Sequence, residues 1–127
     1  MDVIARWHEV VESGDPAGLE ALIAEEAVFQ SPALHSPQQG KAITIEYLSA
    51  ALRVLNNGTF RYLGEWRGER TAVLEFEAEV DGLTVNGVDM IWWDESGRIT
   101  RFKVMIRPLK ALNAVIARMA AELTRAG

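Results

Sequence analysis

The chain has 127 residues, 49% of them apolar, a net charge of −5 and no cysteine. That length buries one core and is too short for two ordinary domains, so one domain over residues 1–127 is expected. A cysteine-free chain excludes a disulfide framework, a thiol nucleophile and a cysteine zinc site, and with no basic stripe nucleic acid is not an expected partner. Val3, Ile4, Trp7, Val10 and Val11 fall on one stripe, which predicts an amphipathic helix over residues 2–12. Gly14 ends it, and Asp15-Pro16 reads as the N-cap and first position of a short second helix burying Leu19, Leu22 and Ile23. Ala27 to Gln30 reads as a strand stopped by Ser31-Pro32, and an irregular stretch with His35 and Pro37 follows. Ile45, Leu48, Leu52 and Leu55 then recur at helical spacing, and Asn56-Asn57-Gly58 supplies a left-handed cap.

From Phe60 the period changes to two. Phe60–Arg67 and Thr71–Val80 read as strands around a turn. In the second, Leu74, Phe76, Ala78 and Val80 alternate with Glu75, Glu77 and Glu79, which marks one buried and one wetter face. Asp81-Gly82 is a tight-turn signal. Thr84–Trp93 and Arg98–Arg107 form another hairpin, and Pro108 opens a last helix with Leu109, Leu112, Ile116, Met119 and Leu123 on one side. Helices first and consecutive strands later predict an α+β fold, a curved sheet with helices packed on one face.

Asp89 stands out against this pattern. It lies in Thr84-Val-Asn-Gly-Val-Asp-Met-Ile-Trp-Trp-Asp94, a run rich in β-branched and aromatic residues. A carboxyl group on the inner face of such a strand needs a partner or a task. Phe102, Val104 and Ile106 would share that face and line the same pocket. Poor solvation among them favours the neutral acid, which can donate to a carbonyl or enolate oxygen; the ionised form can act as a base or hold a cation. The rival register, shifted by one at Gly97, sets Lys103 opposite Asp89 and makes the two an exposed ion pair.

Three segments carry a resemblance: Ala5-Arg-Trp-His-Glu-Val-Val-Glu-Ser-Gly-Asp15; Glu25-Glu-Ala-Val-Phe-Gln-Ser-Pro32 followed by Gly40-Lys41; and Asp89-Met-Ile-Trp-Trp-Asp-Glu-Ser-Gly-Arg-Ile99. With the element order, they resemble the nuclear transport factor 2-like superfamily, in the branch of ketosteroid isomerases and SnoaL-like polyketide cyclases. The resemblance implies a cone: a strongly curved, mostly antiparallel sheet wrapped around the N-terminal helices, with an additional C-terminal helix and a hydrophobic pocket at one end. The isomerases' oxyanion-binding aspartic acid falls on Asp89, their general-base aspartate on Ser31 and their oxyanion-binding tyrosine on Trp7. A serine with no adjacent base does not abstract a proton near neutral pH, and an indole offers only its N–H, so isomerisation by the family mechanism is not expected.

The remaining candidates are secondary. Ser31 can hydrogen-bond a ligand or cap its own turn. His35 can shuttle protons at the pocket mouth or stand in solvent. Trp7 and Phe76 can line a pocket for a flat ligand or simply fill the core. Two histidines without metal-ligand spacing predict no metal site, and no cofactor is expected. Val88, Met90, Trp92 and Met105 share the outer face and predict a homodimer through the sheet, as the resemblance also implies. No apolar run approaches the ~20 residues that span a bilayer, and the N-terminus lacks a signal-peptide layout, so a cytoplasmic location with no membrane partner is expected. The functional expectation is a pocket for a small apolar molecule, with Asp89 as the acid if the protein is an enzyme. The alternative is a non-catalytic ligand-binding or protein-interaction module of the same fold.

Overall fold

The computed structural model describes residues 2–126. Helix α1 (Val3–Ser13) starts where Asp2 accepts a hydrogen bond from the Ile4 N–H at 3.0 Å, and it buries the five apolar residues of its stripe. Asp15 caps a 3-10 turn at Pro16–Gly18 by accepting from the Ala17 N–H, and the single-turn α2 (Leu19–Leu22) follows. Strand β1 (Ile23–Gln30) begins at Ile23, earlier than the sequence pattern predicts. The two-residue β2 (Gln38–Gln39) precedes α3 (Lys41–Leu55). Then come β3 (Arg61–Gly68), β4 (Thr71–Val80), β5 (Leu83–Trp93), β6 (Ile99–Arg107) and α4 (Leu109–Ala126).

The strands form one curved, unclosed sheet in the order β2-β1-β6-β5-β4-β3. Every neighbouring pair is antiparallel except β1 with β6, which is parallel. The β4–β5 turn places Asp81 at φ 52° and Gly82 at φ 75°, the two left-handed residues of a type I′ hairpin whose twist matches its strands. The end of α3 differs from expectation. Asn56 closes the helix at φ −84°, and the left-handed residue is Gly58 at φ 91°. The Asn56 amide donates to the Val11 carbonyl at 2.8 Å, so its side chain ties α3 to α1.

The core lies between the concave face of the sheet and the helices. Leu74 and Phe76 of β4, Val85 and Ile91 of β5, and Phe102 of β6 point inward against Ile4 and Trp7 of α1 and Leu48 of α3. Gly87 is required at its place on that inner face. A Cβ there would sit 2.5 Å from Cζ of Phe76 and 2.6 Å from the Met105 carbonyl oxygen. The Phe76 ring therefore occupies the space a side chain at 87 would need, and it stacks on Phe60 with centroids 5.3 Å apart.

A register shift between Tyr62 and Gly64 sets which face β3 shows. Tyr62 lies opposite the inward Phe76, whereas Trp66 lies opposite Val73 on the convex face and is 59% exposed. Without that extra residue, Tyr62 and Trp66 would share a face.

Candidate functional site

Asp89 lies opposite Val104 on one side and Leu74 on the other, both inner-face residues. The irregularity in the β5–β6 pairing falls between Trp92 and Trp93: Trp93 pairs with Ile99 but Trp92 with Arg101, and this one-residue shift brings Val104 opposite Asp89 and leaves Lys103 opposite Met90. The ion-pair alternative is thereby excluded. The residue is 7% exposed, and that remaining surface faces a cavity of about 190 Å³.

The cavity wall is assembled from every layer of the fold. Trp7 and Val11 come from α1, Phe29 from β1, and Tyr47, Leu48, Leu52 and Leu55 from α3. Tyr62 and Asp89 come from the sheet with Phe102, Val104 and Ile106 of β6. Helix α4 closes another side with Val115, Ile116, Met119, Ala120 and Leu123. Ser31 to Leu34 complete the wall beside β1, and Leu34 is 48% exposed there.

Three polar side chains inside this apolar wall are joined. The Trp7 indole Nε1–H donates to the Tyr62 hydroxyl at 2.9 Å, and that hydroxyl donates to Oδ2 of Asp89 at 2.6 Å. Burial pushes the Asp89 carboxyl up from its ordinary 3.8 to about 7, and the Tyr62 hydrogen bond opposes that rise. Burial, and then the charge of Asp89, push the Tyr62 phenol well above its ordinary range. Burial thus brings the Asp89 carboxyl within reach of a change of protonation near neutral pH, while Tyr62 keeps its proton.

The other expected pocket residues divide. Phe102, Val104, Ile106, Trp7 and Ser31 line the cavity. Ser31 also turns toward its own loop, where its hydroxyl accepts from the Ala33 N–H at 3.0 Å, the turn-capping use of a serine before proline. Trp7 gives its only N–H to Tyr62, so it meets a ligand with its ring alone. Phe76 is fully buried and lies outside the cavity wall, because the missing side chain at Gly87 draws its ring into the sheet. His35 is exposed and also stands outside the wall, since its loop runs over the surface between β1 and β2. The functional residue that sequence reasoning misses is Tyr62, which lies within the Phe60–Arg67 strand; the β3 irregularity turns it to the inner face, where its hydroxyl reaches Asp89.

A bent sheet enclosing helices, with one buried acid in an apolar cavity, defines a class of small pocket-bearing α+β proteins. The SnoaL-like domain pattern matches residues 4–102, and the chain belongs to that family. A steroid delta-isomerase from Pseudomonas aeruginosa is 35% identical and superposes with a TM-score of 0.92 over 98% of this chain and 90% of its own. A Silicibacter pomeroyi protein with a cystatin-like fold is 34% identical, with a TM-score of 0.85 over 94% of this chain and 83% of its own. A polyketide cyclase-like protein from Sinorhizobium meliloti, 16% identical with a TM-score of 0.64, covers 83% of this chain and 94% of its own and shares the fold. No curated protein matches by sequence. Among the described residues, no helix is long and apolar enough to cross a membrane.

Proposed function

We propose that this protein binds a small apolar carbonyl compound in the cavity and that Asp89 transfers a proton to or from it, in isomerase- or cyclase-like chemistry. The observation that carries this reading is the buried Asp89 carboxyl, poised near neutrality, at a wall that is mostly apolar. As the neutral acid it donates to a carbonyl oxygen and stabilises the enolate that develops there; as the carboxylate it takes the proton back. The likeness to a steroid delta-isomerase at 35% identity supports chemistry next to a carbonyl group. Ser31, in the place of the isomerases' base, has its hydroxyl engaged in its own turn, which supports a division of labour different from theirs. The test is turnover of a panel of enolisable ketones across pH, with Asp89→Asn as control. A pH-dependent rate lost in the variant supports the proposal, and no turnover of any ketone by the wild-type protein refutes it.

A second reading, a binding module without catalysis, is favoured by one observation: neither Ser31 nor His35 gives the cavity a second acid–base group beside Asp89. Ligand binding that changes tryptophan emission through Trp7, without turnover, selects this reading.

We further propose that the convex sheet face packs against a second copy of the chain. Val88 and Met105 are cross-strand neighbours there, flanked by Met90 and by Trp92 with Arg101 stacked 4.6 Å from its ring centroid. Glu75 and Glu77 border this stripe on β4, and Arg101 and Lys103 border it on β6. A two-fold axis along β5 sets the acidic border of one copy over the basic border of the other.

A further inference from the structure

We infer that Trp7 and Tyr62 are positioning residues forming a one-way hydrogen-bond chain, which holds Oδ2 of Asp89 as an acceptor and leaves Oδ1 as the atom that exchanges a proton with the ligand. The functional meaning rests on the proton-transfer reading above; the chain itself stands on geometry alone.

The direction follows from the chemistry of the ends. An indole N–H only donates, so its 2.9 Å contact occupies a lone pair of the Tyr62 oxygen. The phenol then has one proton to place, and among the described residues the acceptor within reach is Oδ2 of Asp89 at 2.6 Å. A proton on Oδ2 would reverse that contact, give the Tyr62 oxygen two donors and strand its own O–H in an apolar wall. That arrangement costs a buried hydrogen bond. The proton of neutral Asp89 therefore belongs on Oδ1. No hydrogen bond to Oδ1 occurs among the described residues, yet no side-chain oxygen or nitrogen there is both sealed off and unpartnered. Oδ1 thus owes its accessibility to the cavity that Asp89 lines.

The surroundings leave Tyr62 as the group that tunes this acid. Leu74 faces Asp89 from β4, Val104 from β6, and the α4 side of the cavity is apolar. Beyond Tyr62 stand two further titratable groups: His8 packs edge-on against its ring with centroids 5.3 Å apart and bonds Glu65 at 3.0 Å. Two consequences separate this site from a simple pair of donors. Tyr62 has no proton left for a ligand oxygen, so a bound carbonyl receives one hydrogen bond here, from Oδ1. The same atom becomes an acceptor once Asp89 ionises, so one position serves both halves of a proton shuttle without a side-chain rotation.

The test is carbon-13 NMR of the ligand-free protein with labelled aspartate carboxyl groups, titrated with pH in the wild type, Tyr62→Phe and Trp7→Phe. Tyr62→Phe keeps the ring and removes the donor, so the Asp89 midpoint should rise by about one pH unit. Trp7→Phe leaves Tyr62 a poorer donor and should raise it by less, in the same direction. A midpoint that stays or falls in Tyr62→Phe overturns the inference, as does a fall in Trp7→Phe. Should either variant fail to fold, the wild-type protein alone decides: a downfield Tyr62 hydroxyl proton that broadens as Asp89 titrates is expected, and its absence overturns the chain. Both shifts observed alongside an inert ketone panel would retain the hydrogen-bond chain and refute the proton-transfer reading, so the two failures are distinguishable.

Discussion

Tyr62 and Asp89, on strands separated by β4, meet through a 2.6 Å hydrogen bond inside the sheet's concave face. The contact crosses the row where Phe76 pairs with Gly87, and it joins the fold's geometry to its electrostatics. It partly offsets the burial of Asp89 without cancelling it, leaving a carboxyl group whose charge state changes near neutral pH.

Stability should carry the signature of that acid. The folded protein holds Asp89 at about 7, above its ordinary 3.8, so folding favours the protonated form. The contribution is fully present below the unfolded value and is lost as pH rises through the folded one. The stability difference between wild type and Asp89→Asn should shift against the wild type by on the order of 4 kcal/mol between acid and alkaline pH. Chemical denaturation of both proteins across pH measures it, and a difference independent of pH contradicts the burial argument.

Gly87→Ala should be severely destabilising. The added methyl meets both Phe76 and a backbone carbonyl of the paired strand β6, and the carbonyl cannot rotate away. A loss of about 3 kcal/mol, or failure to fold, is expected in thermal or urea melts. A companion Phe76→Leu exchange should recover only part of the loss, because the Met105 carbonyl stays in place.

Ligand size should respond to α4. Met119 lines the cavity from that helix, and Met119→Trp fills space with little demand on the sheet. Binding of bulky apolar ligands should fall at least tenfold (about 1.4 kcal/mol) while small ones are retained, as read by calorimetry. Equal losses for all sizes would place the ligand elsewhere.

Association should depend on the convex face. Met105 is 47% exposed beside Val88, and Met105→Glu puts a charge in the middle of the apolar stripe. Sedimentation should find a dimer for the wild type and a monomer for the variant, with the fold intact by circular dichroism. A monomeric wild type at high concentration would remove the face from consideration.

The parts legible in sequence were those governed by local chemistry. The α1 stripe, the strict alternation of β4 and the Asp81-Gly82 turn each follow from periodicity or φ preference, and each stands where expected. The inward aspect of Asp89 was legible only as one of two registers, because a single extra residue decides between Val104 and Lys103 as its neighbour. The first half of β1 was hidden, because its burial does not alternate and its partner β6 is parallel and distant in sequence. The Tyr62 contact was hidden more deeply. It depends on an irregularity in β3 and on a ring lying over Gly87, neither of which has a one-dimensional signature. His35 shows the converse: its residue type suggested chemistry, and its loop carries it into solvent.

Helix α4 contributes five side chains to the cavity wall yet lies after the last strand and beyond residues 4–102, where the family pattern ends. The acid and this helical flank of the cavity wall therefore reside on separable stretches of chain. Substitutions along one helical flank can reshape the cavity while every strand pairing around the carboxyl group is preserved, so its volume and its acid can vary independently.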